Sequence, residues 1–128
     1  MTPFGAKLRV LRAEHGVTQR ALAAELRVSP AYLSALEHGH RGAPSPGLVH
    51  QVNEFFGLIW DEAEELSRLA RLSRPKVSVD TAGLTPEQTA LANRFAQTIR
   101  RLPPESVAAI HAILNAVPPP ARRRAVKP

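Results

Sequence analysis

The sequence predicts an all-α protein: five short helices followed by a C-terminal helical hairpin. Three observations carry this. Apolar residues recur three and four apart through most of the chain. Helical stretches open on Ser or Thr, and Ser29-Pro30, Ser45-Pro46 and Thr85-Pro86 place a proline directly after the cap. Several stretches then close on glycine, the usual helix stop.

The first helix lies in PFGAKLRVLRAEHG, where Phe4, Leu8 and Leu11 fall at i, i+4 and i+7. Pro3 suits its first turn and Gly16 its end. Thr18 caps the next helix, QRALAAEL, whose Leu22, Ala23 and Leu26 share a face. Ser29 caps the third, Pro30 takes its first position, Leu33 and Leu36 form its buried side, and Gly39 ends it. After the loop His40-Arg41-Gly42-Ala43-Pro44, Ser45 caps a fourth helix that begins at Pro46. Leu48, Val49, Val52, Phe55 and Phe56 give it a wide apolar face, and Gly57 stops it. Trp60 is expected to pack beneath this helix. The fifth helix carries Asp61, Glu62, Glu64 and Glu65 early and Arg68, Arg71 and Arg74 late, an order that complements the helix dipole. Glu64 and Arg68 stand at i, i+4, a pairing worth about 0.2–0.5 kcal/mol.

Pro75 breaks the pattern. Lys76-Val77-Ser78-Val79-Asp80 alternates as a short strand does, yet five residues also suit an extended linker over 75–83, the favoured reading. Thr85-Pro86-Glu87-Gln88 is a helix start in which Gln88 can complete a capping box. Leu91, Phe95, Ile99 and Leu102 make the stripe of this helix, Pro103-Pro104 forces a break, and Val107, Ile110, Leu114 and Val117 follow with heptad-like spacing. Two such short helices bury too little surface alone. Their stripes are expected to form a dimer interface with a second copy, in preference to packing on the N-terminal unit. The expected organisation is thus a domain over 1–74, a linker over 75–83, a hairpin over 84–117, and a basic tail over 118–128 whose composition predicts disorder.

Charge and composition narrow the function classes. The 128 residues carry a net charge of +6, which suits a polyanionic partner, although Arg122-Arg123-Arg124 and Lys127 supply part of the excess. The absence of cysteine excludes disulfides and thiolate metal sites and fits a reducing cytoplasm. No apolar run is long enough to span a membrane, and MTPFGAKLRV has no signal-peptide core, which argues against export. His38 and His40 straddle a helix end and make a poor metal site. His15, His50 and His111 are scattered, and the acidic group from Asp61 to Glu65 is a solvated helix start. An enzymatic reading has no residue support, and no metal or cofactor is expected.

The span TQRALAAELRVSPAYLSALEHG, Thr18 to Gly39, places two short helices around a tight turn with small Ala23 at their crossing. That is helix-turn-helix geometry. It resembles the phage-repressor-like, or XRE-type, helix-turn-helix regulators of bacteria, whose fold is that of lambda repressor. The matching residues are Arg12, Thr18-Gln19, Leu22-Ala23, Leu26, Val28-Ser29, Tyr32-Leu33-Ser34, Leu36-Glu37 and Gly39, and the likeness extends over about residues 3–72. The resemblance implies that the third helix, Ser29 to His38, lies in the major groove of double-stranded DNA. It implies phosphate contacts from Thr18 and Gln19 and from the loop with Arg41 and Ser45. His38 and His40 join these as candidates. It also implies a mostly buried pair, Arg12 with Glu37, in which removing one partner costs roughly 3–5 kcal/mol. Two departures stand out. Arg27 occupies a turn position that usually holds glycine, where a left-handed backbone costs a side chain roughly 1 kcal/mol, and Arg27 could itself reach phosphate. The loop RGAPSPG is unusually rich in proline and glycine and could hold Arg41 rigidly.

The candidates for base contact are Ser29, Pro30, Ala31, Tyr32, Ser34 and Ala35. Pro30, Ala31 and Ala35 offer only apolar contact, suited to a thymine methyl, while Tyr32 and Ser34 can make single hydrogen bonds. Phosphate contacts and DNA shape are therefore expected to supply much of the binding. The resulting expectation is a sequence-specific transcriptional regulator, a repressor acting as a homodimer on a palindromic operator. Its two recognition helices would stand one helical turn apart, ~34 Å. Three alternatives stay open: an antitoxin that neutralises a toxin partner, activation through RNA polymerase, and an interaction module that no longer reads DNA.

Overall fold

The structure, a computed structural model, describes residues 1–120. The described residues form seven α-helices and no strand: α1 (Pro3–His15), α2 (Gln19–Leu26), α3 (Pro30–His38), α4 (Pro46–Phe56), α5 (Asp61–Arg71), α6 (Pro86–Thr98) and α7 (Pro104–Asn115), with a 3-10 turn at Ile99–Arg101. The chain divides into two units, Met1–Ser78 and Val79–Pro128.

Local chemistry sets the helix ends. Thr2, Thr18, Ser29, Ser45 and Thr85 each sit in extended backbone and accept a hydrogen bond from an N–H in the following first turn. Each such cap is worth about 1 kcal/mol. At Thr85 the box is complete: its Oγ1 accepts from the Gln88 N–H at 3.1 Å, and Gln88 Oε1 accepts from the Thr85 N–H at 3.0 Å. Gly16, Gly39 and Gly57 close α1, α3 and α4 with positive φ.

In the first unit, α1 to α5 enclose a single core. Phe4, Leu8, Leu22, Ala23, Leu33, Val52 and Leu66 are wholly buried in it. Removing a side chain of leucine or phenylalanine size from water contributes about 1.5–3 kcal/mol. The start of α1 is held from two sides. The Thr2 N–H donates to the Glu37 carbonyl at 3.1 Å, and a Cβ at Gly5 would collide with that same carbonyl, so α1 meets the end of α3 backbone to backbone. On the other side the Ser73 hydroxyl accepts from the Phe4 N–H at 2.9 Å and donates to the Leu69 carbonyl at 2.6 Å.

Several expectations need correction. Trp60 does not pack beneath α4: it is 84% exposed, with φ 54 and ψ −124, in the turn that leads into α5. Gly57 reverses the chain after α4, Leu58 takes the buried place, and Ile59 and Trp60 are left outside. Phe55 is likewise exposed; it meets buried Phe56 edge-on but lies off the core face. Arg68 pairs with Glu65 rather than Glu64, because the i, i+3 partner receives both guanidinium hydrogen bonds, at 2.8 and 2.9 Å. Arg74 lies beyond the end of α5.

In the second unit no described residue is buried. Leu91, Phe95, Ile99, Val107, Leu114 and Val117 are exposed, and Leu102 and Ile110 are half-buried. The α6 stripe is shorter than its spacing predicts: the helix ends at Thr98, and Pro103-Pro104 leaves Ile99 in the 3-10 turn and Leu102 in extended backbone. Val117 falls after the end of α7. Residues 76–80 form no strand. The tail arginines, Arg122 to Arg124, lie outside the described residues.

Candidate nucleic-acid interface

The geometry is built around α3. Its inner side, Leu33, Leu36 and Glu37, is buried. Its first turn, Ser29, Pro30 and Ala31, is exposed, whereas Tyr32, Ser34 and Ala35 are half-buried. Of the six base-contact candidates, the first three are thus the most accessible. Two features aim this turn outward. Ala23, wholly buried, lets α2 and α3 cross closely. Arg27 then turns the chain with φ 58 and ψ 41, while the Val28 N–H donates to the Ala23 carbonyl and the Arg27 N–H to that of Ala24. This is the paired closure that usually recruits glycine; here an exposed arginine takes it.

The phosphate candidates are placed unevenly. Thr18 and Ser45 use a lone pair to cap α2 and α4, at 3.1 and 3.2 Å, so each hydroxyl hydrogen remains free to donate. His40 and Arg41 are exposed in the turn after α3. His38 is exposed, with Nδ1 2.8 Å from the Ser34 carbonyl, and its ring stacks on His40 with centroids 6.3 Å apart. Gln19 is turned inward. Its Nε2 donates to Glu37 Oε1 at 3.0 Å, leaving one amide hydrogen for an outside acceptor.

Glu37 therefore has two partners where one was expected. Arg12 Nε stands 3.5 Å from Glu37 Oε2, an ion pair without a hydrogen bond, and both atoms are buried with no hydrogen-bond partner. Only the Gln19 bond to this buried carboxylate is well formed. The residues at the start of α2 and the end of α3 are thereby fixed to one another through Glu37.

A groove of about 560 Å³ runs between the first turn of α3 and the start of α4. It brings Ser29 and Tyr32 together with Ser45, so candidates for base and phosphate contact share one concave surface. Gln51 also lines it and was missed in the sequence. Its signal was weak, a polar residue between Leu48 and Val52, and only the angle between α3 and α4 gives it meaning. The other histidines are not brought together: His15 packs on Phe56 at 5.0 Å and His50 pairs with Glu54 at 3.0 Å. Among the described residues, no cluster of three His, Cys, Asp or Glu side chains could hold a metal ion, and no helix is long and apolar enough to cross a membrane.

A small trihelical turn presenting one exposed first turn, flanked by capped helix starts and basic side chains, defines the helix-turn-helix class. The chain belongs to the helix-turn-helix domain family, whose model matches residues 3–66. It is similar to the transcriptional repressor RghR of Bacillus subtilis, with 41% identity over 54 residues, which is 42% of this chain and 40% of that protein. It is similar to the uncharacterised regulator RghRB of the same organism, with 38% identity over 52 residues, 41% of this chain and 37% of that one. The regulator RamB of Mycobacterium tuberculosis is 40% identical over 57 residues, 44% of this chain and 12% of its own. The likeness spans less than half the length of each of these relatives. No solved structure matches the chain significantly.

Proposed function

We propose that the protein is a sequence-specific, double-stranded DNA-binding transcriptional regulator, a repressor that acts as a homodimer on a palindromic site. The observation that carries this reading is the exposed first turn of α3, lying beside the capped start of α4 in one groove with Ser29, Tyr32, Ser45 and Gln51. Such a surface admits a duplex edge: small side chains approach bases, and hydroxyls and arginines meet the flanking phosphates. The similarity to regulators and a repressor supports the same reading. The homodimer rests on the exposed stripes of α6 and α7, which need a partner surface.

The direct test is a selection of binding sites from random duplexes at stated salt, followed by Arg41→Ala on the selected site. The selection yields a two-fold symmetric site. The variant binds all duplexes more weakly and lowers the slope of log K against log salt by about 0.9, the value for one phosphate contact. Selection of no consensus, or of single half-sites only, removes the reading of a dimeric reader.

A further inference from the structure

Among the described residues, Glu37 is the only charged one that is buried. Its backbone is fixed from two sides: its carbonyl accepts from the Thr2 N–H, and Gly5 packs directly against it. The carboxylate that this backbone carries is an acceptor anchored inside the domain. Its one hydrogen bond comes from Gln19 Nε2 at 3.0 Å, 18 positions away in the chain. Arg12 stands 3.5 Å from the other oxygen and supplies a countercharge without a hydrogen bond. A carboxylate only accepts, so the contact decides which way round the Gln19 amide sits, with its nitrogen toward Glu37. That nitrogen carries two hydrogens that point apart. One is on Glu37. Gln19 is half-buried at the first position of α2, beside exposed Thr18, and the second hydrogen is left for an acceptor outside the domain.

We propose that Glu37 is a positioning residue for DNA binding that acts through Gln19, an inference that rests on the proposed function. Gln19 Nε2 bridges two acceptors, the Glu37 carboxylate inside the domain and a DNA phosphate oxygen outside it. A glutamine without the inner partner loses side-chain freedom when it binds. It can also turn its carbonyl oxygen to the phosphate, where acceptor meets acceptor. Held by Glu37, it meets the phosphate with a donor already in place. The Arg12 countercharge offsets the repulsion that a buried carboxylate exerts on a phosphate nearby. The bridge also ends on the last turn of α3, because Glu37 belongs to that helix. A phosphate held by Gln19 therefore fixes α3 against the duplex backbone, and phosphate contacts of this kind set the register in which bases are read.

The test is a double-mutant cycle on the full chain, read as affinity for the selected duplex at stated salt. Gln19→Ala weakens binding about tenfold, as loss of a hydrogen bond to a charged acceptor requires. It leaves the salt slope unchanged, because glutamine carries no charge. Glu37→Gln weakens binding about fivefold, the cost of ordering one free side chain, since a carboxamide pairs with either end of Gln19. In the Gln19→Ala chain the same Glu37→Gln change has no further effect. A Glu37 that only shapes the fold lowers affinity as much in the Gln19→Ala chain as in the parent, and that additivity overturns the proposal. A second measurement needs no change at Glu37. Duplex added to the 15N-labelled parent moves the signal of the outer Gln19 side-chain hydrogen far more than that of the hydrogen on Glu37. Equal movement of the two marks a glutamine that leaves Glu37 for the phosphate and overturns the bridge, as does movement of neither. Duplex binding that Gln19→Ala leaves unchanged removes the inference and keeps the regulator reading, whereas a chain that binds no duplex removes both.

Discussion

Arg27 shows how one side chain can carry both a penalty and a use. It closes α2 in the left-handed region, φ 58, where a Cβ crowds the backbone, and the residue is exposed. Arg27→Gly relieves that crowding and is expected to stabilise the first unit by about 1 kcal/mol. For a unit of this size the melting temperature rises by roughly 4–8 °C, measurable by calorimetry. The same change removes a cation next to the proposed interface, so DNA affinity falls while stability rises. A variant that melts lower than the parent would show that the arginine makes a contact that outweighs the strain. Glu37 is the opposite case, buried at 1% exposure and fixed by Gln19 more firmly than by Arg12. The sequence motif named the Arg12–Glu37 pair but not Gln19's share in it. That share depends on where the first residue of α2 sits above the last turn of α3, which spacing alone does not encode.

At the scale of helices, most starts and stops were legible because they are written in adjacent residues. A serine or threonine before proline marks α3, α4 and α6, and glycine marks the ends of α1, α3 and α4. What could not be read depends on the chain's path in space. Phe55 falls within a plausible apolar stripe, yet only a narrower arc of α4 faces the core; Trp60 is left outside by the reversal at Gly57. The α5 pairing belongs to this scale too. Two hydrogen bonds from Arg68 hold the Glu65 carboxyl below the usual carboxylate value. A carboxyl shifted downward adds stability above its unfolded pKa and loses it as pH falls through its folded pKa. Both side chains are about half exposed, so the effect is small and screened by salt. Glu65→Gln should therefore melt slightly below the parent at neutral pH and low salt. The gap closes when the buffer is acid enough to protonate Glu65 in the folded protein. A gap that persists there would assign the loss to packing.

For the molecule as a whole, two units of different self-sufficiency share one chain. The first has a complete core, and the second leaves its apolar stripes exposed. If a second copy covers those stripes, Phe95→Asp in the full chain converts a dimer to a monomer in sedimentation. It should also weaken binding to a full palindrome far more than to a half-site. An unchanged sedimentation coefficient would move the interface elsewhere. The Ser73 contact has a different kind of consequence. It ties Phe4 to a residue 69 positions away, so it closes only after the helices between them have gathered. Contacts of that span are expected to be absent from the folding transition state. Ser73→Ala should leave the refolding rate nearly unchanged and raise the unfolding rate. The hydroxyl would then act as a brake on opening: it governs how long each folded molecule lasts, with little influence on how fast one forms.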